Sequence, residues 1–117
     1  MTEMIHVVAG ILFDVEGNFL LARRPTGKVY EGFWEFPGGK VEEKERASDA
    51  LVRELEEELG VVAKTFHPWI TKTFRYPHAD VNIEFFKVTH WSGKVRSLEN
   101  QKLYWQGPGS LSGLHQY

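Results

Sequence analysis

Cysteine is missing from all 117 positions of the sequence. That excludes disulfide frameworks, thiolate metal sites and cysteine nucleophiles together. Without thiols the redox compartment leaves no trace, and a reducing cytoplasm is the default expectation. Long apolar runs are missing too. None approaches the roughly 20 residues that a membrane-spanning helix needs, so no membrane partner is expected. The opening MTEMIHVVAG lacks a basic n-region, and no signal peptide is expected there. There is no excess of positive charge: 14 Lys and Arg face 16 Asp and Glu, a net −2. Binding to a nucleic acid polymer usually asks for the opposite balance. His6, His67, His78, His90 and His115 are scattered without ligand spacing and read as structural or surface residues. No internal repeat and no low-complexity segment occurs.

What is present has globular proportions, 42% hydrophobic and 26% charged. A chain of this length buries about two thirds of its unfolded surface, so one core and one domain, 1–117, are expected. Ile5 to Phe13 is a nearly continuous apolar run rich in β-branched residues, the pattern of a strand buried on both faces. A turn at Asp14 to Asn18 leads to a second strand, Phe19 to Arg23, and the two read as a hairpin. Pro25 to Gly32 reads as loop. Trp34 to Phe36 is short and extended, and a glycine turn, Pro37-Gly38-Gly39, stops it. Arg46 to Leu59 has helical periodicity, closed by Gly60. Val61 to Tyr76 and Val81 to Trp91 are strand-like, with Lys102 to Gln106 a last short strand. Mostly strands around one long helix implies a mixed α/β sandwich. The tail, Gly107 to Tyr117, reads either as a loop with a helical turn at Leu111 to Leu114 or as the place where a longer chain is truncated.

Charge is unevenly spread. Residues 42–58 hold eight of the 16 acids against Lys44, Arg46 and Arg53, a net −5 on a body of about +3. At about 100° per residue, Leu51, Val52, Leu55 and Leu59 form one stripe of the helix and face the core. Glu54, Glu57 and Glu58 fall nearly opposite, with Ala47 and Ala50 beside them, while Glu56 points elsewhere and is solvated. Arg53 is one turn before Glu57, within pairing reach. Three adjacent carboxylates repel one another unless something neutralises them. A divalent cation would do so, and an all-oxygen donor set suits Mg²⁺, with Mn²⁺ as the alternative. A solvated acidic helix face is the other reading of the same residues. The preceding Phe36-Pro37-Gly38-Gly39-Lys40 offers backbone that a ligand can approach closely.

These residues also spell a longer pattern. Gly39, then Glu45, then Arg53-Glu54-Leu55-Glu56-Glu57-Glu58-Leu59-Gly60-Val61 match every fixed position of the Nudix box over 23 residues. A pattern with that many fixed positions is specific, and the chain resembles a Nudix hydrolase. Leu20-Leu21-Ala22-Arg23-Arg24 and Trp34-Glu35-Phe36-Pro37-Gly38-Gly39-Lys40 look like the MutT branch, which cleans oxidised nucleoside triphosphates. The similarity runs from about Val7 to Trp105. It implies a Nudix-type α/β/α sandwich with a mixed sheet and the box as loop-helix-loop.

The resemblance also implies roles. Glu54, Glu57 and Glu58 match the family's metal-binding glutamates, and the Gly38 carbonyl a backbone ligand. Arg53 matches the arginine that orients a ligating glutamate, and Glu45 the glutamate that supports the site. Glu99 lies where MutT-type chains carry a further acidic ligand or base, so Glu54 and Glu99 both stand as the general base. Arg23, Arg24 and Lys40 are candidates for the substrate phosphates. Glu35 and Phe36 belong to the same motif, with Phe36 as an apolar wall near the base; Val7, Tyr30, Phe74 and Tyr76 are further candidates for that pocket. The chemistry implied is Mg²⁺-dependent hydrolysis of an oxidised purine nucleotide such as 8-oxo-dGTP to the monophosphate and pyrophosphate.

Two departures stand out. MutT-type chains usually continue into an asparagine that reads the purine edge, and Tyr117 is reached before a match to it. Arg46 occupies a helix-capping position usually held by Ser or Thr. Other substrates therefore stay open: CTP or dCTP, ADP-ribose, or a thiamine-related pyrophosphate, since some similar domains are fused to a thiamine phosphate synthase-like domain. A nucleotide-binding module without turnover is a further reading, whose expected mark is a broken box; the box here is intact.

Overall fold

The computed structural model describes residues 3–23 and 34–107. Arg24, Tyr30, the 25–32 loop and the proposed turn at 111–114 lie outside the described residues. In chain order the elements are β1 (Glu3–Leu12), β2 (Phe19–Arg23), β3 (Trp34–Glu35), β4 (Gly38–Lys40), α1 (Ala47–Leu59), β5 (Val62–Arg75), β6 (Ala79–Ser92) and β7 (Lys102–Gln106). One sheet has the order β4-β1-β6-β5, and a second has β3-β2-β7. No helix of the described residues is long and apolar enough to cross a membrane.

The apolar run of β1 forms an inner strand. It pairs in parallel with β6 from Glu3↔Ala79 to Leu12↔Val88, and antiparallel with β4. Side chains alternate across a strand, and here each face of β1 has its own partner. Val8 and Leu12 pack with Leu51, Leu55, Leu59, Phe86 and Val88. Ala9 and Ile11 pack with Phe19, Leu21, Phe36 and Phe85. Burial on both faces holds from Val8 onward; Glu3, Met4 and His6 are exposed.

The hairpin read from the sequence is not what forms. β1 and β2 belong to different sheets, and the chain just past β1 meets β2 at one isolated bridge, Phe13↔Phe19. The turn is locally ordered: the Asp14 carboxylate accepts the Glu16 and Asn18 N–H groups, both at 2.9 Å. Beyond it β2 pairs with β7 over five residues, from Phe19↔Gln106 to Arg23↔Lys102. The edges of β1 are taken by β4 and β6, so β2 has no ladder left to join. Gly38 and Gly39, read as part of the turn Pro37-Gly38-Gly39, lie in strand β4, because this backbone completes the ladder on the free edge of β1. β6 starts at Ala79, ahead of the strand-like run expected from Val81.

The helix follows its leucine stripe. Leu51, Leu55 and Leu59 are fully buried, each contributing about 2 kcal/mol of transfer free energy. Gly60 closes it at φ 71°, a left-handed conformation that costs glycine little, and its N–H donates to the Glu56 carbonyl at 3.0 Å. Arg46 caps the other end in an extended conformation with no side-chain cap bond, as its side chain dictates. One expectation for this helix changes: Ala50, assigned to the acidic face, is fully buried. That face is turned partly onto β1 and β4. The expected second helical layer is not among the described residues.

Candidate active site

The acidic face of α1 meets β4 at its two glycines. A Cβ added to Gly39 would stand 2.5 Å from Glu54 Cδ, so any larger residue overlaps that carboxylate. A Cβ on Gly38 would overlap the Val8 carbonyl of β1. The Gly38 N–H instead donates to Glu58 Oε2 at 3.2 Å. Two glycines in an edge strand thus let two helix carboxylates lie directly on the backbone.

Arg53 organises the side of the cluster nearest the box loop. Its Nε and Nη2 donate to the two oxygens of Glu45 at 2.8 and 2.9 Å, a bidentate pair. Nη1 donates to Glu54 Oε1 at 2.9 Å and to Glu57 Oε2 at 3.4 Å. Nη2 also donates to the Lys40 carbonyl at 3.0 Å, which fastens the end of β4 to the helix. Glu45 in turn accepts the Glu42 N–H at 2.9 Å. The hydrogen bonds from Arg53 hold the Glu45 carboxyl down at about 2 and raise the guanidinium's own pKa. A planar fork of five donors suits this task, and lysine has no equivalent.

Glu58 has the opposite environment. Burial, followed by the charges of Glu54, Glu99 and Glu35, pushes its carboxyl up to about 8, against the pull of the Gly38 N–H. Burial also raises Glu54, with Arg53 opposing and Glu57 and Glu99 adding to the rise. Among the described residues no cationic side chain meets Glu58. The Glu99 loop reaches the cluster by docking on the C-terminal end of α1. There Leu98 N–H donates to the Glu58 carbonyl and Arg96 N–H to the Leu59 carbonyl, each at 2.9 Å. Those carbonyls lie in the last turn of the helix, where no intrahelical donor reaches them.

The NUDIX domain family matches residues 4–108 of the chain. The chain belongs to the Nudix family. It is 37% identical over 93 residues to an 8-oxo-dGTP diphosphatase of Proteus vulgaris, covering 80% of this chain and 83% of that protein. It is 38% identical over 106 residues to a CTP pyrophosphohydrolase of Escherichia coli K12, covering 91% and 78%. A solved structure from work on MutT of Aliivibrio salmonicida and Vibrio cholerae superposes with a TM-score of 0.81 at 34% identity, covering 98% of this chain and 89% of that one.

Nudix hydrolases use a divalent metal, and the donor set here fits one. It is all oxygen, and its most buried member, Glu58, has its pKa raised by burial and by the neighbouring carboxylates Glu54 and Glu99. Among the described residues no three acidic or imidazole groups are yet converged on one point.

The Nudix fold brings together most of the residues singled out in the sequence. Glu45, Arg53, Glu54 and Glu57 share one hydrogen-bonded network, and Gly38 joins Glu58. Glu99 adds its charge to the group. Glu35, assigned to the substrate, places its charge near Glu58. Four further candidates have different side-chain surroundings. Phe36 is buried in the core, with ring centroids 6.0 Å from Phe19 and 6.2 Å from Phe85. Tyr76 sits at the β5–β6 turn, its ring stacked on His78 at 5.8 Å. Arg23 and Lys40 are exposed at strand ends. The docking of residues 96 and 98 on the helix end had no sequence signal, because it is made by backbone groups that every residue carries.

Proposed function

We propose that the protein hydrolyses nucleoside triphosphates to the monophosphate and pyrophosphate, with an oxidised purine such as 8-oxo-dGTP preferred, in the cytoplasmic nucleotide pool. The observation that carries this reading is the intact box folded as a unit. Its glutamates lie against the Gly38-Gly39 backbone, in a chain similar over most of its length to an 8-oxo-dGTP diphosphatase.

Glu54, Glu57, Glu58, Glu99 and the Gly38 carbonyl would hold Mg²⁺, with Mn²⁺ as a substitute. The bound cation supplies charge that screens the polyphosphate and makes water more acidic. The chain's own part is positioning and proton transfer. Arg53 keeps Glu54 and Glu57 in place, and Glu45 keeps Arg53 in place. Water forms a bond to phosphorus, the bond to the pyrophosphate oxygen breaks, and Glu54 or Glu99 takes the water's proton. Arg23, Arg24 and Lys40 are the cations proposed for the phosphates. Phe36, its ring packed on Phe19 and Phe85, is proposed as an apolar wall near the base, with Val7, Phe74, Tyr76 and Tyr30 as further candidates.

A second substrate reading has its own support, since the chain is as similar to a CTP pyrophosphohydrolase as to the diphosphatase. The experiment is pyrophosphate and monophosphate release from 8-oxo-dGTP, dGTP, dCTP, CTP and ADP-ribose, with and without Mg²⁺. Highest kcat/KM on 8-oxo-dGTP supports the first reading, and highest kcat/KM on CTP or dCTP replaces it with the second. Glu57→Gln is the control: it removes a half-exposed charge without altering size, and should lower the rate by about 100-fold or more with the fold intact. An unchanged rate would remove Glu57 from the site.

A further inference from the structure

Glu99 lies in a loop without helix or strand, at an exposed position. A catalytic carboxylate on such a loop needs something to hold it, or its orientation is lost among many rotamers and backbone states. The loop is pinned just before Glu99, where Leu98 N–H reaches the Glu58 carbonyl at 2.9 Å. It is pinned just after by a side chain. Gln101 is only 9% exposed, the one buried polar residue among those described. Its Oε1 accepts the Glu99 N–H at 3.1 Å. An N–H can only donate, so this contact settles which amide atom faces the loop. Ser97 closes the ring: its Oγ lies 2.9 Å from Gln101 Oε1 and 2.6 Å from the Gln101 carbonyl. Asn100, between Glu99 and Gln101, has φ 62°. That left-handed residue folds the chain back so the Gln101 side chain can reach its own loop, and asparagine tolerates it better than most.

We infer that Ser97 and Gln101 are positioning residues that aim Glu99 at the Glu54 and Glu58 carboxylates. The inference rests on the proposed reading in which Glu99 serves that cluster. The physical reason is burial. A Gln side chain sealed from water does not trade its bonds for solvent, so the two bonds its Oε1 accepts from the loop are worth more than the same bonds at the surface. Sequence alone shows Ser97, Glu99 and Gln101 as neighbours; only the turn at Asn100 makes them a closed ring.

A double-mutant cycle tests this. Gln101→Leu keeps volume and removes Oε1, which accepts both the Glu99 N–H and the Ser97 hydroxyl. It should lower kcat by about 10-fold or more with KM changed less than about 3-fold, the signature of a misplaced reacting group rather than a damaged binding surface. In a Glu99→Gln background the same substitution should change kcat by less than about 2-fold, because nothing is left to aim. Ser97→Ala should behave in the same way, more weakly, and Ser97→Thr should restore the rate by restoring the hydroxyl. This pair also serves if Gln101→Leu does not fold. A readout independent of turnover is amide hydrogen exchange at Glu99 in the metal-free protein, slow in the wild type and fast in Gln101→Leu. Losses that multiply in the Glu99→Gln background, or a Glu99→Gln variant at the wild-type rate, would overturn the inference while leaving the hydrolase reading in place. Failure of the wild-type protein to turn over any nucleotide would overturn both.

Discussion

The buried carboxyl of Glu58 should make the metal-free protein lose stability as pH rises. Its pKa is 4.5 when unfolded and about 8 when folded. Between those values the folded chain holds a proton that the unfolded chain has released. Unfolding then costs less with each step up in pH, by at most about 1.4 kcal/mol per unit. Softened at both ends of the window, the loss from pH 5 to pH 8 is roughly 3 to 4 kcal/mol. The stabilising contribution is fully present below pH 4.5 and gone above pH 8. Urea unfolding in chelator, followed by tryptophan fluorescence at pH 5, 6, 7 and 8, would show the midpoint falling by about 2 M. Glu58→Gln carries a permanently neutral side chain of the same shape, so its midpoint should stay nearly level. The difference between the two proteins cancels the histidines, which titrate in both. A divalent metal requires the ionised form, so its binding at pH 7 should release about one proton, measurable by calorimetry in buffers of different ionisation heat. Parallel pH profiles for wild type and Glu58→Gln, or metal binding without proton release, would refute the reasoning.

Three other substitutions test separate parts of the site. Gly39→Ala places a methyl group on the Glu54 carboxylate, and should cut kcat by about 100-fold while Tm moves by only a few degrees, since φ at Gly39 is not in the left-handed region. Arg53→Lys keeps the charge but loses the fork to Glu45 and Glu54, so kcat should fall about 10-fold or more, and the Glu45 carboxyl, titrated by NMR, should rise from about 2 toward its ordinary value. That same pair should stabilise the wild type above pH 4.5 and weaken as pH falls toward 2, a dependence that Arg53→Lys should lose. Arg46→Ser supplies the missing N-cap and should raise stability by about 1 kcal/mol, a Tm gain of about 4 °C in differential scanning calorimetry, with kcat unchanged.

The chemistry-bearing part of this chain was legible in the sequence because it is local. The spacing of Glu54, Glu57 and Glu58 puts them on one helix face, the Leu51-Leu55-Leu59 stripe says which face is buried, and Gly60 says where the helix stops. All of that follows from a repeat of 3.6 residues and one left-handed cap. The role of the two glycines was half legible. Their small size was plain; that Gly39 makes room for Glu54 was not. Phe36 shows the limit from the other side, since an aromatic residue in a motif reads equally well as pocket wall or as core, and its packing against Phe19 and Phe85 was not legible.

Tertiary structure alone decided the strand partners and the loop contacts. A strand's apolar run states that it is buried, not which strand lies beside it, because every backbone offers the same N–H and C=O groups. So the hairpin expected between β1 and β2 gave way to the parallel β1–β6 ladder and to β4 on the other edge. The unsatisfied carbonyls of Glu58 and Leu59 were filled by Leu98 and Arg96 for the same reason. Glu99 reached the cluster through those backbone bonds, some forty residues along the chain, where periodicity carries no information. By itself the sequence determined which residues carry charge to the site; the fold buried Glu58, which raised it, and set the Arg53 fork against Glu45, which lowered it.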